Sequence, residues 1–334
     1  MQSPVTYQGG KGRLAEEIVS RMLVPTDATF YDFCCGSGIV SLALYETGHS
    51  PEHIVMVDSG PWGVFWEMVG AGTFDLDKFR ALCDLVPSDR TQIKTHIEKV
   101  YAEPVGDDRI YKYLLLQASA IGGAAIWWEQ GKWKRGSGFR DYWQPTATSS
   151  RRSPVNPMMP MPATIYARTV EIVQRMRGVR GIQADIETIK VEKPAVVYID
   201  PPYEGTTDYA RVFPMAVRDV AQRLKCPCWV SEGKALSDEA WMLSAGRAKG
   251  GMTGDRKKKA NEEWLSYFAN TEGLIGTDAE LQMACEEPTK PQQYVGLANY
   301  LIQQGWVTDL GLTAGLVAED IEKWFLNESR DEKL

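Results

Sequence analysis

No apolar run in this sequence approaches the length of a bilayer span, and the opening MQSPVTYQGGKGR has neither an apolar core region nor a cleavage site of the kind a secretory leader carries. The expectation is a cytoplasmic protein with no membrane partner. Histidine is scarce: His49, His53 and His96 stand at no paired spacing, which leaves a structural zinc site or a His-based nucleophile little to build on. No metal is therefore expected. Cysteine is present without a framework. Cys34 and Cys35 are adjacent, Cys226 and Cys228 are one residue apart, and Cys83 and Cys285 stand alone, a pattern of reduced, mostly buried small hydrophobes. A complete dinucleotide fingerprint is also missing. Gly36-Ser37-Gly38 is followed by Ser41 where a third glycine or alanine would stand, which disfavours NAD or FAD and fits a single adenosyl ligand without a pyrophosphate.

Basic charge looks lacking as well, with a net of -7 over 334 residues, but its distribution is uneven. Residues 270–334 carry 4 Lys+Arg against 12 Asp+Glu, a net of -8, so the first 269 residues sum to +1. Between Gly131 and Arg180, 10 basic residues face only Asp141 and Glu171. A local excess of this size is the electrostatic footprint expected for a polyanion, and the whole-chain charge conceals it. The basic residues Lys132, Lys134, Arg135 and Arg140 alternate with Trp127, Trp128, Trp133, Phe139, Tyr142 and Trp143, and Arg151 and Arg152 follow. Arginine and aromatic rings together suit phosphate pairing and base stacking. A second basic stretch holds Arg247, Lys249, Arg256, Lys257, Lys258 and Lys259, with Asp255 opposing.

What is present is organised around Val196-Val197-Tyr198-Ile199-Asp200-Pro201-Pro202-Tyr203. Apolar, β-branched residues make a short buried strand, and two prolines end it because neither can donate to a ladder. The strand delivers a carboxylate, a free carbonyl and an aromatic ring to its carboxyl edge, where ligands bind in open α/β sheets. Upstream, Tyr7-Gln8-Gly9-Gly10-Lys11-Gly12 reads as a glycine-rich turn ahead of a helix marked by Leu14, Ile18, Val19 and Met22. Thr29 to Gly38 reads as strand and tight glycine turn, and Ile39, Val40, Leu42 and Leu44 as the following helix. Ile54 to Val57 predicts a second strand ending in Asp58, about 20 residues past the glycines, where a carboxylate meets ribose hydroxyls.

Helical patterning recurs near Phe79 to Leu85 and from Ile110 to Ile126, followed by a long irregular run and a proline-rich connector, Asn156 to Pro162. A helix around Ile165 to Met176 leads to a short strand, Gly181 to Ala184, ending in Asp185. Val217 to Leu224 reads as a helix, and Cys226 to Ser231 and Glu263 to Phe268 as strands. The organisation expected is a catalytic domain in two parts, residues 1–62 and 163–269, interrupted by a region at 63–162 and followed by an acidic helical appendage at 270–334.

Gly9-Gly10-Lys11, then Asp32-Phe33-Cys34-Cys35-Gly36-Ser37-Gly38, a long insert and Asp200-Pro201-Pro202-Tyr203 resemble, in that order, the Dam-like amino-methyltransferases of DNA, the alpha-ordered group. The likeness covers residues 5–62 and about 163–268. It implies an α/β, Rossmann-like class I S-adenosylmethionine-dependent fold with an inserted, mostly helical target-recognition region and a small C-terminal helical appendage. It also implies double-stranded DNA as partner, in a bacterial or phage-infected cell, with N6 of adenine as the methyl acceptor. By position, Tyr7, Gly9, Gly10 and Lys11 match the segment that closes over the cofactor. Asp32, Cys34, Gly36 and Gly38 match the glycine loop, Asp58 the ribose-binding acid, and Asp185 the acid near the adenine of the cofactor. Lys132, Lys134, Arg135, Arg140, Arg151, Arg152, Arg256, Lys257 and Lys258 are the expected DNA contacts. Cys34 stands where the family usually has Phe, and the insert shows no obvious match to the family's DNA-recognition hairpin.

The expected catalytic residues are Asp200, Pro201, Pro202 and Tyr203. The exocyclic amine of adenine is a poor nucleophile, and two acceptors, the Asp200 carboxylate and the Pro201 carbonyl, would aim its lone pair at a methyl donor while Tyr203 offers a ring to the extruded base. N4 of cytosine or RNA as substrate, and an inactive nucleic-acid-binding protein of the same fold, are the alternatives.

Overall fold

The computed structural model describes residues 1–141, 147–148, 160–203, 216–244 and 262–270. The chain divides into two units, Met1–Thr271 and Glu272–Leu334, and all described residues belong to the first. Of the basic residues singled out above, Arg151, Arg152, Arg247, Lys249, Arg256, Lys257, Lys258 and Lys259 lie outside the described residues. So do Tyr142, Trp143 and the acidic appendage beyond Asn270.

In chain order the helices are α1 (Ala15–Met22), α2 (Ile39–Glu46), α3 (Pro61–Ala71), α4 (Leu76–Asp84), α5 (Arg90–Ala102), α6 (Arg109–Ser119), α7 (Pro162–Arg175) and α8 (Val217–Arg223). The strands are β1 (Thr29–Phe33), β2 (Ile54–Asp58), β3 (Ile126–Glu129), β4 (Lys132–Arg135), β5 (Arg180–Gln183), β6 (Ala195–Ile199), β7 (Cys228–Glu232), β8 (Ala240–Ser244) and β9 (Glu263–Phe268). Seven strands form one sheet in the order β5-β2-β1-β6-β7-β9-β8. The first five run parallel, and β9 lies antiparallel between β7 and β8. The molecule is thus mixed α/β with a mostly parallel seven-stranded sheet, an arrangement compatible with a Rossmann-like fold.

The sequence pattern explains the burial. β6, AVVYI, is buried along its whole length, as continuous apolar strands are when helices cover both faces. Phe30, Met56, Val196 and Tyr198 face the layer built by α1, α2 and α3, while Tyr31, Phe33, Val57 and Ile199 face the layer that contains α8. The connection from β2 to β5 carries the large insertion. α3 lies so close on β5 that a Cβ on Gly181 would stand 2.1 Å from the Glu67 nitrogen, so only glycine permits the approach. Phe79, Ile97 and Leu114 of the inserted helices join the same buried cluster as Phe30 and Met56.

Two expectations need correction. Helical patterning from Ile110 to Ile126 yields a helix only to Ser119. Gly122 and Gly123, both at positive φ, then break the chain, and Ile126 opens a strand. The start of the run beyond it is not irregular: β3 and β4 pair as a hairpin closed by Gln130 (φ 50°) and Gly131 (φ 72°), a two-residue turn with both φ positive that matches the strand twist. The insert therefore does contain a hairpin. In the sheet, β5 does not neighbour β6 despite their nearness in sequence, since residues 184–194 carry the chain past β2 and β1. No helix among the described residues is long and apolar enough to cross a membrane.

Candidate functional site

The sheet order reverses direction between β1 and β6, the kind of switch point that opens a crevice at the carboxyl edge. Along that edge the strand ends present Asp185 beyond β5, Asp58 on β2, the Cys34–Gly38 turn after β1, and Asp200 to Tyr203 after β6. The turn begins with Cys34 in the left-handed region (φ 59°), followed by Gly36 (49°) and Gly38 (73°). Asp58 braces it. One carboxylate oxygen accepts the Gly36 N–H at 3.0 Å and the other accepts the Gly60 N–H at 2.7 Å, while the Trp66 indole donates to the Gly36 carbonyl at 3.0 Å. Burial pushes the Asp58 carboxyl up, and these two N–H bonds oppose it.

Gly38 cannot be replaced freely. An added Cβ would lie 2.3 Å from the Trp66 ring and 2.5 Å from the Met56 methyl, at a φ that side chains rarely adopt. Gly38→Ala is expected to lower stability by roughly 2–3 kcal/mol, read as a shift in the denaturant midpoint. An unchanged midpoint would contradict this packing.

Lys11 lies deep in the site rather than at the surface of a flexible turn. Its ammonium is 2.7 Å from Asp200 Oδ1, 3.1 Å from the Gly9 carbonyl and 3.5 Å from Glu263 Oε1, and sits 4.8 Å from the centre of the Tyr203 ring. Side-chain exposures of 6% for Lys11, 20% for Asp200 and 14% for Glu263 place the three charges largely outside bulk water. The Tyr203 hydroxyl donates to Glu263 Oε1. Burial alone would lower the Lys11 pKa, but Asp200 and Glu263 reverse the sign and raise it. Burial raises Asp200, against the pull of Lys11 and of Tyr203.

Asp32 is 1% exposed and accepts the Ser41 hydroxyl at 2.6 Å. Burial lifts its pKa to about 7, with Ser41 opposing and Asp200 adding to the rise. Ser41, the residue that breaks the dinucleotide fingerprint, is therefore the hydrogen-bond partner of a buried acid. Burial also holds the Cys34 and Cys35 thiols well above their usual range, with Asp58 adding to it, so neither suits a nucleophile. Asp185 is exposed, but its charge, like those of Asp58, Asp200 and Asp32, is felt at Cys34.

Among the expected DNA contacts, Lys132 and Lys134 are exposed on β4. Arg135 is exposed too, with its guanidinium 4.7 Å from the Tyr101 ring centre and 4.8 Å from that of Phe139. Arg140 turns inward, donating to the Ala120 carbonyl at 2.9 Å, and burial lowers its pKa. Trp133 and Phe139 are buried core residues rather than stacking platforms, and Trp128 packs edge-on to Trp133 at 5.6 Å. The expectation that these rings meet bases is corrected for Trp133 and Phe139.

Sequence reasoning missed Glu263. The available signal was an acid opening an otherwise aromatic strand, EWLSYF, just beyond a basic run. Among the described residues no group of His, Cys, Asp and Glu could hold a metal ion. Compared with known protein families the chain matches none, and no curated protein matches it either.

Proposed function

We propose that this protein transfers a methyl group from S-adenosylmethionine to N6 of an adenine extruded from double-stranded DNA, on a class I methyltransferase fold. The observation that carries the reading is the meeting of Asp200, Lys11 and the Asp58-braced glycine turn at one switch point, drawn from segments far apart in sequence.

The residues present suit the cofactor. Among the described residues, Asp32, Asp58, Asp200 and Glu263 outnumber the one cation among them, Lys11, a balance that favours a positively charged ligand. Trp62 Nε1 and the Tyr113 hydroxyl are buried without a hydrogen-bond partner; Tyr7 packs edge-on to Trp62, and Tyr113 feels the charge of Asp58. Tyr7, Gly9, Gly10, Gly36, Gly38, Asp58 and Asp185 are the residues that would hold it. When bound, S-adenosylmethionine supplies a methyl group made electrophilic by a sulfonium.

The chain's own residues do the rest. Lys11 binds Asp200 Oδ1, which favours the ionised carboxylate, and that carboxylate would accept one amine N–H. The Pro201 carbonyl, with no ladder to join, accepts the other, and the nitrogen lone pair is thereby directed. Because burial raises Asp200, it also suits removal of the proton that the nitrogen must shed after transfer. With Lys11 over one face of the Tyr203 ring, an extruded base would stack on the opposite face. The exposed Lys132 and Lys134 would meet the phosphate backbone.

Calorimetric titration with S-adenosylmethionine and with NAD tests the cofactor: binding of the first alone is expected, and binding of NAD alone would overturn the reading. Replacing Lys132 and Lys134 with Ala is expected to lessen the slope of log affinity for duplex DNA against log salt by about 1.8, from about 0.9 per lost phosphate contact. An unchanged slope would remove the hairpin from the DNA interface.

A further inference from the structure

Glu263 has no part in the chemistry described above, yet the fold goes to some length to place it. It opens β9, the strand inserted antiparallel between β7 and β8, and it pairs with Ser244 beside an irregularity of register between Met242 and Ser244. Such irregularities re-aim side chains next to functional sites. Its carboxylate points at two residues of the candidate site at once, accepting the Tyr203 hydroxyl and standing 3.5 Å from the Lys11 ammonium.

A lysine ammonium has three N–H donors, and three acceptors surround this one: the Gly9 carbonyl, Asp200 Oδ1 and Glu263 Oε1. Removing the third would leave Lys11 to the Gly9 carbonyl and to Asp200 as its carboxylate partner. The cation would then neutralise Asp200 more fully and weaken it as an acceptor, and the Tyr203 hydroxyl would lose its bond to Glu263. A buried carboxylate is costly to retain unless it is held and useful, and a second acid facing a single cation adds repulsion to that cost.

We propose that Glu263 is a positioning residue of this site: it divides Lys11 between two carboxylates, so that Asp200 stays ionised yet keeps acceptor strength, and it locks the orientation of the Tyr203 ring. This rests on the function proposed above. Among the described residues, the charged and titratable groups around it are Lys11 on the N-terminal turn, Asp200 and Tyr203 after β6, and, behind Asp200, Asp32 on β1 and Tyr198 on β6.

The test is Glu263→Gln in the full chain. Turnover is expected to fall about 10- to 100-fold, in the range for loss of one oriented polar contact. The dissociation constant of S-adenosylmethionine should stay within about two-fold, and the acid limb of the pH–rate profile should move to lower pH because a negative charge near Asp200 is gone. A lower melting temperature with turnover and acid limb both unmoved would reduce Glu263 to a structural acid and overturn the proposal. Should the wild-type chain transfer no methyl group, the functional reading itself fails. Glu263 is then judged by NMR titration of the Lys11 ammonium, whose pKa is expected to drop in Glu263→Gln and whose constancy would refute the shared cation.

Discussion

Asp200→Ala is expected to lower methyl transfer to DNA by at least about 10²- to 10³-fold, the loss typical of removing one preorganised group at a reacting centre, while S-adenosylmethionine binds with nearly unchanged affinity. The reason is the division of labour along the sheet edge. The glycine turn is held by Asp58, through N–H bonds from Gly36 and Gly60, and none of these bonds involves Asp200. Asp200 instead joins the turn to the Lys11 and Glu263 cluster, and its own backbone N–H is anchored on the Phe33 carbonyl at 3.1 Å. Asp200→Asn separates charge from shape. It keeps an acceptor oxygen but not the charge that pairs with Lys11, so it should lose most of the rate too, with Glu263 left to hold the cation. Single-turnover assays with labelled methyl donor, beside calorimetry of cofactor binding, give both quantities. Variants that lose cofactor affinity and turnover in parallel would show that Asp200 supports the cofactor site rather than the acceptor amine.

Asp32→Asn is expected to stabilise the protein at pH 8 by up to roughly 4 kcal/mol, from about 1.4 kcal/mol for each pKa unit between 3.8 and about 7. The sign follows from the direction of the shift. Below pH 4 Asp32 is protonated in both the folded and the unfolded chain, and burying it costs little. Between about 4 and about 7 the unfolded chain gives up the proton while the folded chain retains it, so rising pH favours unfolding. Above about 7 both are ionised, and the folded protein carries the whole cost of burying the charge beside Asp200, offset in part by the Ser41 hydroxyl. The difference between variant and wild type, measured by urea unfolding across this range, should therefore grow from near zero at pH 4 to its full value by pH 8. A difference independent of pH would mean that Asp32 folds with an ordinary pKa. An acid kept where asparagine would be more stable fits a residue retained for its charge at a working site.

The sheet was legible in the sequence because its inner strands are buried on both faces and read as uninterrupted apolar runs; Ile54 to Asp58 and Val196 to Ile199 left no periodicity to misread. The ends of those strands were legible for the same reason, since an acid or a proline pair halts such a run abruptly. Strand neighbours were not. β5 and β6 are close in sequence but separated by two strands, because adjacency in a parallel sheet is set by where helices such as α3 find room to cross, which local pattern does not encode. The hairpin at Ile126–Arg135 escaped notice because Gln130-Gly131 is a weaker signal for its turn than Asn-Gly, and the tryptophans around it suggested a surface role. Trp133 faces the core instead. Glu263 escaped because its role depends on Lys11 and Tyr203, which lie far off in sequence and reach it only through the placing of β9 in the sheet.

The central claim is that Asp200 and Pro201 present an adenine amine of DNA to a methyl donor. Its most direct test is to incubate the full chain with duplex DNA and S-adenosylmethionine, digest the DNA to nucleosides and identify the modified one by mass spectrometry. N6-methyladenosine in its deoxy form, absent when Asp200→Ala replaces the wild type, is the predicted result; unmodified DNA from the wild-type protein, or methyl groups found only on cytosine, would contradict the account.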